Sequence, residues 1–469
     1  MSARDGREAP RASQHHGRGA AAQVAIGRND FPLARVPEAE RYPWWSVAVQ
    51  RFGELSALSQ LLLGATLGFH MTFWSAFWAL TLGVVLLEIT AVLTGVAGQR
   101  EGLSTYVLAR WAGLGRHGSS LFGLFTVVSL VGWFGVQNAI FAEGLAALAG
   151  AGLPLWAYCI ITGAAVTLIV IYGFRSMAWT SYITVPLFLA LSAWAIRNAL
   201  ARHELADLVA MPPKGEPMSV AAGATLVAGG FIVGAVITPD MTRYNRSAAD
   251  VVKQTLVGVT LGEYTIGLTG VLLAHAVQSA NVVHIVTTEV GVAGAAILVT
   301  GTLKINDWNL YSASLGLVNT IHQTLGRHVG RGAMTLAAGA TGTALSIAGI
   351  LEHLIGFLTL LGVAFPPVAG IMIADYYVVR RHRAALERTR SAGSLPPQVE
   401  PPSLRPLLAW AGGVAAGYLV RVGIPAINAL LGGFLAHVVL SPGRGPRWPR
   451  ALAGLGRPTR ARDASPRRS

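Results

Sequence analysis

Ser219-Val-Ala-Ala-Gly-Ala-Thr-Leu-Val-Ala-Gly-Gly-Phe-Ile-Val-Gly-Ala-Val-Ile-Thr-Pro-Asp240 is the stretch on which the fold class turns. It carries no charge before Asp240, and a helix of this length crosses a hydrocarbon core of about 30 Å. A backbone in lipid must satisfy its own hydrogen bonds, so the run reads as a transmembrane helix. Yet it holds Gly229-Gly230, Gly234 and Thr238-Pro239, which weaken helices. An interrupted helix inside a membrane is tolerated only beside protein or a water-filled cavity. The stretch therefore announces a membrane span that is broken for a purpose, with ordinary glycine-mediated helix packing as the competing explanation.

Apolar runs of the same kind recur on both sides. Spans are expected at about 47–71, 74–97, 119–148, 155–173, 179–197, 219–242, 252–276, 290–318, 332–349, 352–378, 405–421 and 424–441, twelve in all. The chain is 53% hydrophobic and 12% charged, half the charge of a typical soluble domain at about 25%. Loop charges test the count. With both termini placed in the cytoplasm, the inner loops carry Arg100, Arg110, Arg116, Arg175, Arg243, Arg246, Lys253, Arg327, Arg331 and the cluster Arg380 to Arg390. The outer loops carry only Arg197, Arg202, Lys214 and Arg421, and three of these share a loop with Glu204, Asp207 and Glu216. Lysine and arginine favour the cytoplasmic side, and a miscounted span would invert the alternation beyond the error.

The domain reading follows: a basic, disordered cytoplasmic tail over 1–43, a twelve-helix transporter domain over 44–441, and a second basic, disordered tail over 442–469. The first tail has no apolar core of a secretory signal. Most of the +14 net charge sits in the tails, which suits anionic lipid and not nucleic acid. Cys159 lies in an apolar run and serves packing.

The first span resembles the sixth. It carries Gly64-Ala-Thr-Leu-Gly68 after the polar patch Ser56 to Gln60. Two interrupted spans five apart fit an inverted five-plus-five repeat, with the cargo held at the broken helices near the midplane. Intramembrane charges need reasons, since each costs about 2.5–3.5 kcal/mol at the bilayer centre on insertion scales. Asp240 and Asp375 lie near cytoplasmic ends and suit interfacial salt bridges; Glu88, Glu143 and Glu263 suit hydrogen bonding within the helix bundle. Span 8 differs, with Gly301-Thr-Leu-Lys304-Ile-Asn306-Asp307-Trp308-Asn309. Thr302, Asn306 and Asn309 share one face, a stripe that fits a binding site or a helix-helix seam. In span 3, Trp133 and Gln137 lie one turn apart. An indole face beside an amide that both donates and accepts suits a flat heterocycle.

Taken together, Gly64-Ala-Thr-Leu-Gly68, Gly102-Leu-Ser-Thr-Tyr-Val-Leu-Ala-Arg110, Gly132-Trp-Phe-Gly-Val136, Thr238-Pro-Asp-Met-Thr-Arg-Tyr244, Asn306-Asp307 with Leu310-Tyr311, and Phe365-Pro-Pro-Val-Ala-Gly-Ile-Met-Ile-Ala-Asp-Tyr376 resemble the bacterial cytosine and purine permeases of the nucleobase:cation symporter-1 family. The resemblance runs from about 44 to 440. It implies an all-α integral membrane fold of twelve helices in a five-plus-five inverted repeat, with helices 1 and 6 broken. It also implies alternating access in a bacterial inner membrane. The base is expected between Trp133 and Phe231, with its edge read near Gly230 and Gly234. Gln137 matches a substrate amide of hydantoin-type members, and Asn306, Asn309 and Gln60 are weaker substrate contacts.

One departure concerns the driving ion. Sodium-coupled members hold sodium between spans 1 and 8, using small hydroxyl residues just before the Asn-Asp pair. Here Lys304 and Ile305 occupy those positions, and Gly53 to Ala57 is the matching stretch of span 1. The expected coupling residues are Lys304, Glu54, Gly53 and Gly301. A Lys304 ammonium, with Glu54 as partner and Arg51 competing for it, excludes sodium and favours proton coupling; a fixed structural cation in a uniporter is the other reading. Cytosine, purines, uracil, hydantoins, allantoin and vitamin precursors all remain open as cargo, and so does another small polar solute; a non-transport membrane protein is the less favoured alternative. An enzyme is not expected. The sequence has no metal-ligand cluster, nucleophile motif or Walker phosphate loop, so neither cofactor nor metal is called for.

Overall fold

The computed structural model describes residue 31 and residues 34–149, 152–171, 174–327, 329–396 and 403–441. These are helical, with no strand among the described residues and one isolated bridge between Tyr42 and Asn245. The helices are α1 Trp44–Leu55, α2 Leu58–His70, α3 Phe73–Glu101, α4 Thr105–Trp111, α5 Gly115–Ala149, α6 Leu155–Ile171 and α7 Phe174–Arg202. They continue with α8 Leu205–Ala210, α9 Val220–Val236, α10 Pro239–Thr242, α11 Ala248–Thr255, α12 Leu261–Val277 and α13 Val282–Val290. The last are α14 Val292–Leu325, α15 Arg331–Ile347, α16 Leu354–Ala364, α17 Pro366–Ile373, α18 Arg383–Ser391, α19 Arg405–Leu419 and α20 Pro425–Leu440. Among the described residues, five stretches are long and apolar enough to cross a membrane: Phe73–Glu101, Gly115–Ala149, Val220–Thr242, Ala248–Val277 and Leu354–Val379.

The breaks fall elsewhere than the glycines suggested. Gly64 and Gly68 lie inside α2; the first interruption is Ser56-Ala57, where the backbone turns extended at Ala57. Gly229, Gly230 and Gly234 lie inside α9, and the interruption is Ile237-Thr238. These glycines serve close approach. A Cβ on Gly64 would sit 2.1 Å from the Gly267 carbonyl oxygen, and one on Gly229 would sit 1.9 Å from that of Leu358. Helix backbones this near exclude any side chain.

One ridge of α12 and its preceding π-turn follows span 1 through its break. Gly258 meets Arg51, Gly262 meets Leu55, and Gly267 and Gly270 meet Gly64 and the Leu61 carbonyl. Elsewhere α14 lies against α5, α9 against α3 and α16, and α19 against α20.

The stretch read as a disordered tail needs correction over residues 34–43, where Arg35 and Val36 are buried among mostly exposed neighbours; residues 1–30, 32, 33 and 442–469 lie outside the described residues. Arg35 is buried and donates to Glu101 Oε2 at 2.9 Å, Thr389 Oγ1 at 3.1 Å and the Ser394 carbonyl at 2.9 Å. Glu101 also accepts from Arg390 at 2.5 Å and from the Tyr376 hydroxyl at 2.8 Å. The Val36 amide donates to Gly102, and that of Tyr42 to Tyr244. The physical reason is a buried carboxylate that needs two guanidinium partners, one of which comes from this stretch.

Candidate functional site

Among the described residues, two of the buried groups of polar side chains hold the expected site positions. The first surrounds the breaks. Arg51, 1% exposed on α1, points across to α9. Its guanidinium donates to Glu54 Oε2 at 3.1 Å, to the Gly234 carbonyl at 3.0 Å and to Thr238 Oγ1. It also lies 5.3 Å from the centre of the Phe231 ring. A cation against an aromatic face contributes about 0.5–2 kcal/mol. Arg51 thus shares with the Thr238 hydroxyl the Gly234 carbonyl where α9 ends, and ties the two interruptions together. The sequence offered Arg51 only as a competitor for Glu54; its reach to Gly234 and Thr238 was not legible in any spacing.

Above that contact, Gln60 on α2 donates to Glu263 Oε1 of α12 at 2.8 Å. Its own Oε1 has no protein partner and lies 3.9 Å from where a Gly230 Cβ would be. Phe231 packs close to Gly234, where a Cβ would come within 2.7 Å of the ring. Gln60, Gly230, Phe231, Gly234 and Glu54 are therefore brought together, joined by Arg51 and Glu263.

The second group lies on α5 and α14. Trp133 packs edge-on against Phe357 of α16, with centroids 5.5 Å apart. One turn on, Gln137 is fully buried, and neither its amide nitrogen nor its oxygen has a partner. Asn306 donates to the Phe134 carbonyl at 3.3 Å, leaving its oxygen unpartnered. Asn309 is buried nearby on the same helix. α16 joins the two groups: Phe357 touches Trp133, and the adjacent Leu358 backbone meets Gly229. Trp133 and Phe231 make no ring contact with each other in this arrangement.

Of the expected coupling positions, Gly301 packs on Phe188 and, at 3.5 Å from its Cβ position, on Leu58 just after the first break. Gly53 has open space beside it. The Lys304 side chain lies outside the described residues. Three other intramembrane acids have local partners. Asp375 meets His437 at 3.0 Å, Asp240 accepts the Thr105 amide at 2.8 Å, and Glu88 accepts from Thr255 at 2.5 Å and Thr260 at 3.1 Å. Asp375 was expected to pair with an arginine; His437 of α20 takes that place because α17 packs directly on α20. Among the described residues no group of three or more metal-ligating side chains occurs.

Comparison with known proteins agrees with this architecture. Residues 35–440 match the model of a family described as permease for cytosine/purines, uracil, thiamine, allantoin. The cytosine permease of Escherichia coli K12 is 30% identical over 419 residues, covering 88% of this chain and 94% of that protein. The hydantoin permease of Microbacterium maritypicum is 27% identical, covering 67% and 68%. Among solved structures, the inward-facing conformation of Mhp1 superposes with a TM-score of 0.74 at 20% identity, covering 87% and 92%. Its closed conformation with bromovinylhydantoin bound gives 0.70 at 22% identity, covering 87% and 94%. These structures fix the fold, and the family model and the cytosine permease fix the kinship. The family consists of membrane transporters and not of enzymes. The chain belongs to the nucleobase:cation symporter family of permeases for cytosine/purines, uracil, thiamine and allantoin.

Proposed function

We propose that this permease is a secondary transporter that imports a nucleobase or related small heterocycle by alternating access, through twelve spans in a five-plus-five inverted repeat with both termini cytoplasmic. The observation that carries the reading is Gln137: a primary amide, fully buried one turn from the Trp133 indole, with every hydrogen-bonding atom unpartnered. An amide buried without partners costs about 1–3 kcal/mol. A planar cargo bearing adjacent donors and acceptors recovers that cost. In this reading the ring stacks between Trp133 and Phe231, which requires α9 and α5 to approach across α16 as the cargo is enclosed. Gln137, Asn306 and Asn309 read one edge, and Gln60 with the backbone of Gly230 and Gly234 reads the other. Lys304 takes the position where a sodium ion would bind, beside Gly301, Gly53 and Glu54, so that uptake is sodium-independent.

The test is uptake into proteoliposomes of a panel of labelled heterocycles, cytosine and hydantoin included, with sodium and proton gradients imposed separately. Uptake of one ring class, lost in Trp133→Ala and indifferent to sodium, is the expected result. Strict sodium dependence removes the Lys304 part, and uptake untouched by Trp133→Ala removes the stacked ring. A hydantoin-type cargo is the second reading, favoured by the hydantoin permease among the relatives.

A further inference from the structure

We infer that Glu263 is the proton-carrying group of the transport cycle and that Gln60 relays its state to the cargo; the inference rests on the transport reading above but not on which heterocycle is moved. Glu263 is completely buried on α12, at the level of the Ser56-Ala57 break. One carboxyl oxygen, Oε1, accepts from Gln60 Nε2 at 2.8 Å; the other, Oε2, has no protein partner. No cation pairs with it among the described residues.

The elements packed on α12 account for their own charges. On α1, Arg51 is held by Glu54, Gly234 and Thr238. On α2, His70 meets the Glu216 carbonyl at the far end. On α3, Glu88 is bonded by Thr255 and Thr260 of α11 and the π-turn, and Arg100 and Glu101 sit at the distant helix end. On α7 and α13, Arg202 pairs with Glu289, Arg197 lies near the same end of α7, and the His284 amide donates to the Asn281 side chain that caps α13. α8 carries Asp207 beside its own N-terminus. On α12 itself, Tyr264 donates to Thr81, and His275 bonds the Leu208 and Met71 carbonyls two turns away and more. The side chains of 174–185 and Lys304 lie outside the described residues.

A carboxylate with one amide donor and no counter-ion is costly at such a place, whereas the neutral acid is tolerated. In this arrangement the proton therefore resides on Oε2, the oxygen without a partner. Loss of that proton to the inner side breaks the O–H bond and leaves a carboxylate. Such an acceptor makes hydrogen bonds roughly twice as strong as a neutral one, so it pulls on Gln60 and turns the Gln60 oxygen away from the Gly230 edge. Reloading from the outer side forms the O–H bond again and frees Gln60 for the cargo. One proton crosses per cycle, and no other reactant is needed. A proton falling through about 100 mV supports roughly 40-fold accumulation.

The experiment uses the full chain in proteoliposomes and has two arms. Infrared difference spectra of wild type against Glu263→Gln should show a protonated carboxylic acid band in the wild type only, bleaching as pH is raised. This arm needs no substrate. In the second arm, proton-driven accumulation of the heterocycle that the wild type takes up should fall from tens-fold to about onefold in Glu263→Gln. Substrate exchange at equal pH should drop by no more than about twofold, and Glu263→Asp should keep the proton dependence. An absent infrared band, or a Glu263→Gln protein that still accumulates with the wild-type proton dependence, overturns the inference. A wild type that takes up none of the heterocycles defeats the substrate reading instead, and the infrared titration then decides for or against Glu263 alone.

Discussion

Gln137 and Asn138 are neighbours on α5, both fully buried, both primary amides, and their circumstances are opposite. Asn138 donates to the Cys159 carbonyl at 3.0 Å and to Ser346 Oγ at 3.1 Å, and accepts from Thr162 at 2.8 Å. It knits α5 to α6 and α15, and Ser346 passes the network back to the Gly135 carbonyl at 2.8 Å. Gln137, rotated about 100° around the helix, has nothing. The same chemistry is structural on one face and waiting on the next. What separates them is whether the surrounding helices supply partners. In the reading proposed above, the partner that Gln137 lacks is the cargo.

The largest effect expected from this contrast is on stability. Asn138→Leu removes three buried hydrogen bonds, and at about 0.5–1.5 kcal/mol net for each it should lower thermal stability in detergent by several degrees. Uptake per folded molecule should change little. Trp133→Ala should do the reverse: base stacking is worth about 1–3 kcal/mol, so apparent affinity should fall about 5- to 150-fold while the melting temperature moves little. Gln137→Leu sharpens the contrast most. It removes two unpaired polar atoms, so stability should hold or rise by about 1 kcal/mol, while uptake falls; a clear loss of stability would mean that Gln137 has a structural partner after all. Adjacent glycines give a smaller version of the same test. Gly229→Ala drives a methyl into the Leu358 backbone, at about 1–3 kcal/mol for overpacking. In Gly230→Ala the methyl meets the Leu63 side-chain end at 2.9 Å, which can move aside, so stability should fall less and cargo affinity more. At the bottom of the scale stands the ion pair of half-buried Arg383 with exposed Glu387; Glu387→Ala should shift stability by less than about 1 kcal/mol.

Much of this was legible in the residues. The apolar runs specified helices because lipid leaves the backbone no other way to satisfy itself. Trp133 and Gln137 could be paired because four residues make about one turn. The glycines misled: a helical glycine reads alike whether it precedes a break or admits a neighbour, and only the Gly267 and Leu358 carbonyls opposite Gly64 and Gly229 decide which. Arg51 was visible as a charge, but its partners Gly234 and Thr238 stand 183 and 187 positions away. Glu263 read as one more intramembrane acid until Gln60, 203 positions earlier, was seen to be its sole hydrogen-bond donor. Polar Arg35 looked like tail for the same reason, because its carboxylate is 66 positions on.

That clasp also orders events in time. Arg35 is made early, and Thr389, which it bonds, follows 354 residues later. At about 5–20 residues per second, the ribosome delivers that partner roughly 18 to 70 s after Arg35. Until then the segment around Arg35 has Glu101, Gly102 and Tyr244 as partners but nothing from α18, and the Glu101 end of α3 remains untied from that helix. Closure of this clasp is thus a late checkpoint of biogenesis, reached only when nearly the whole transporter has been inserted.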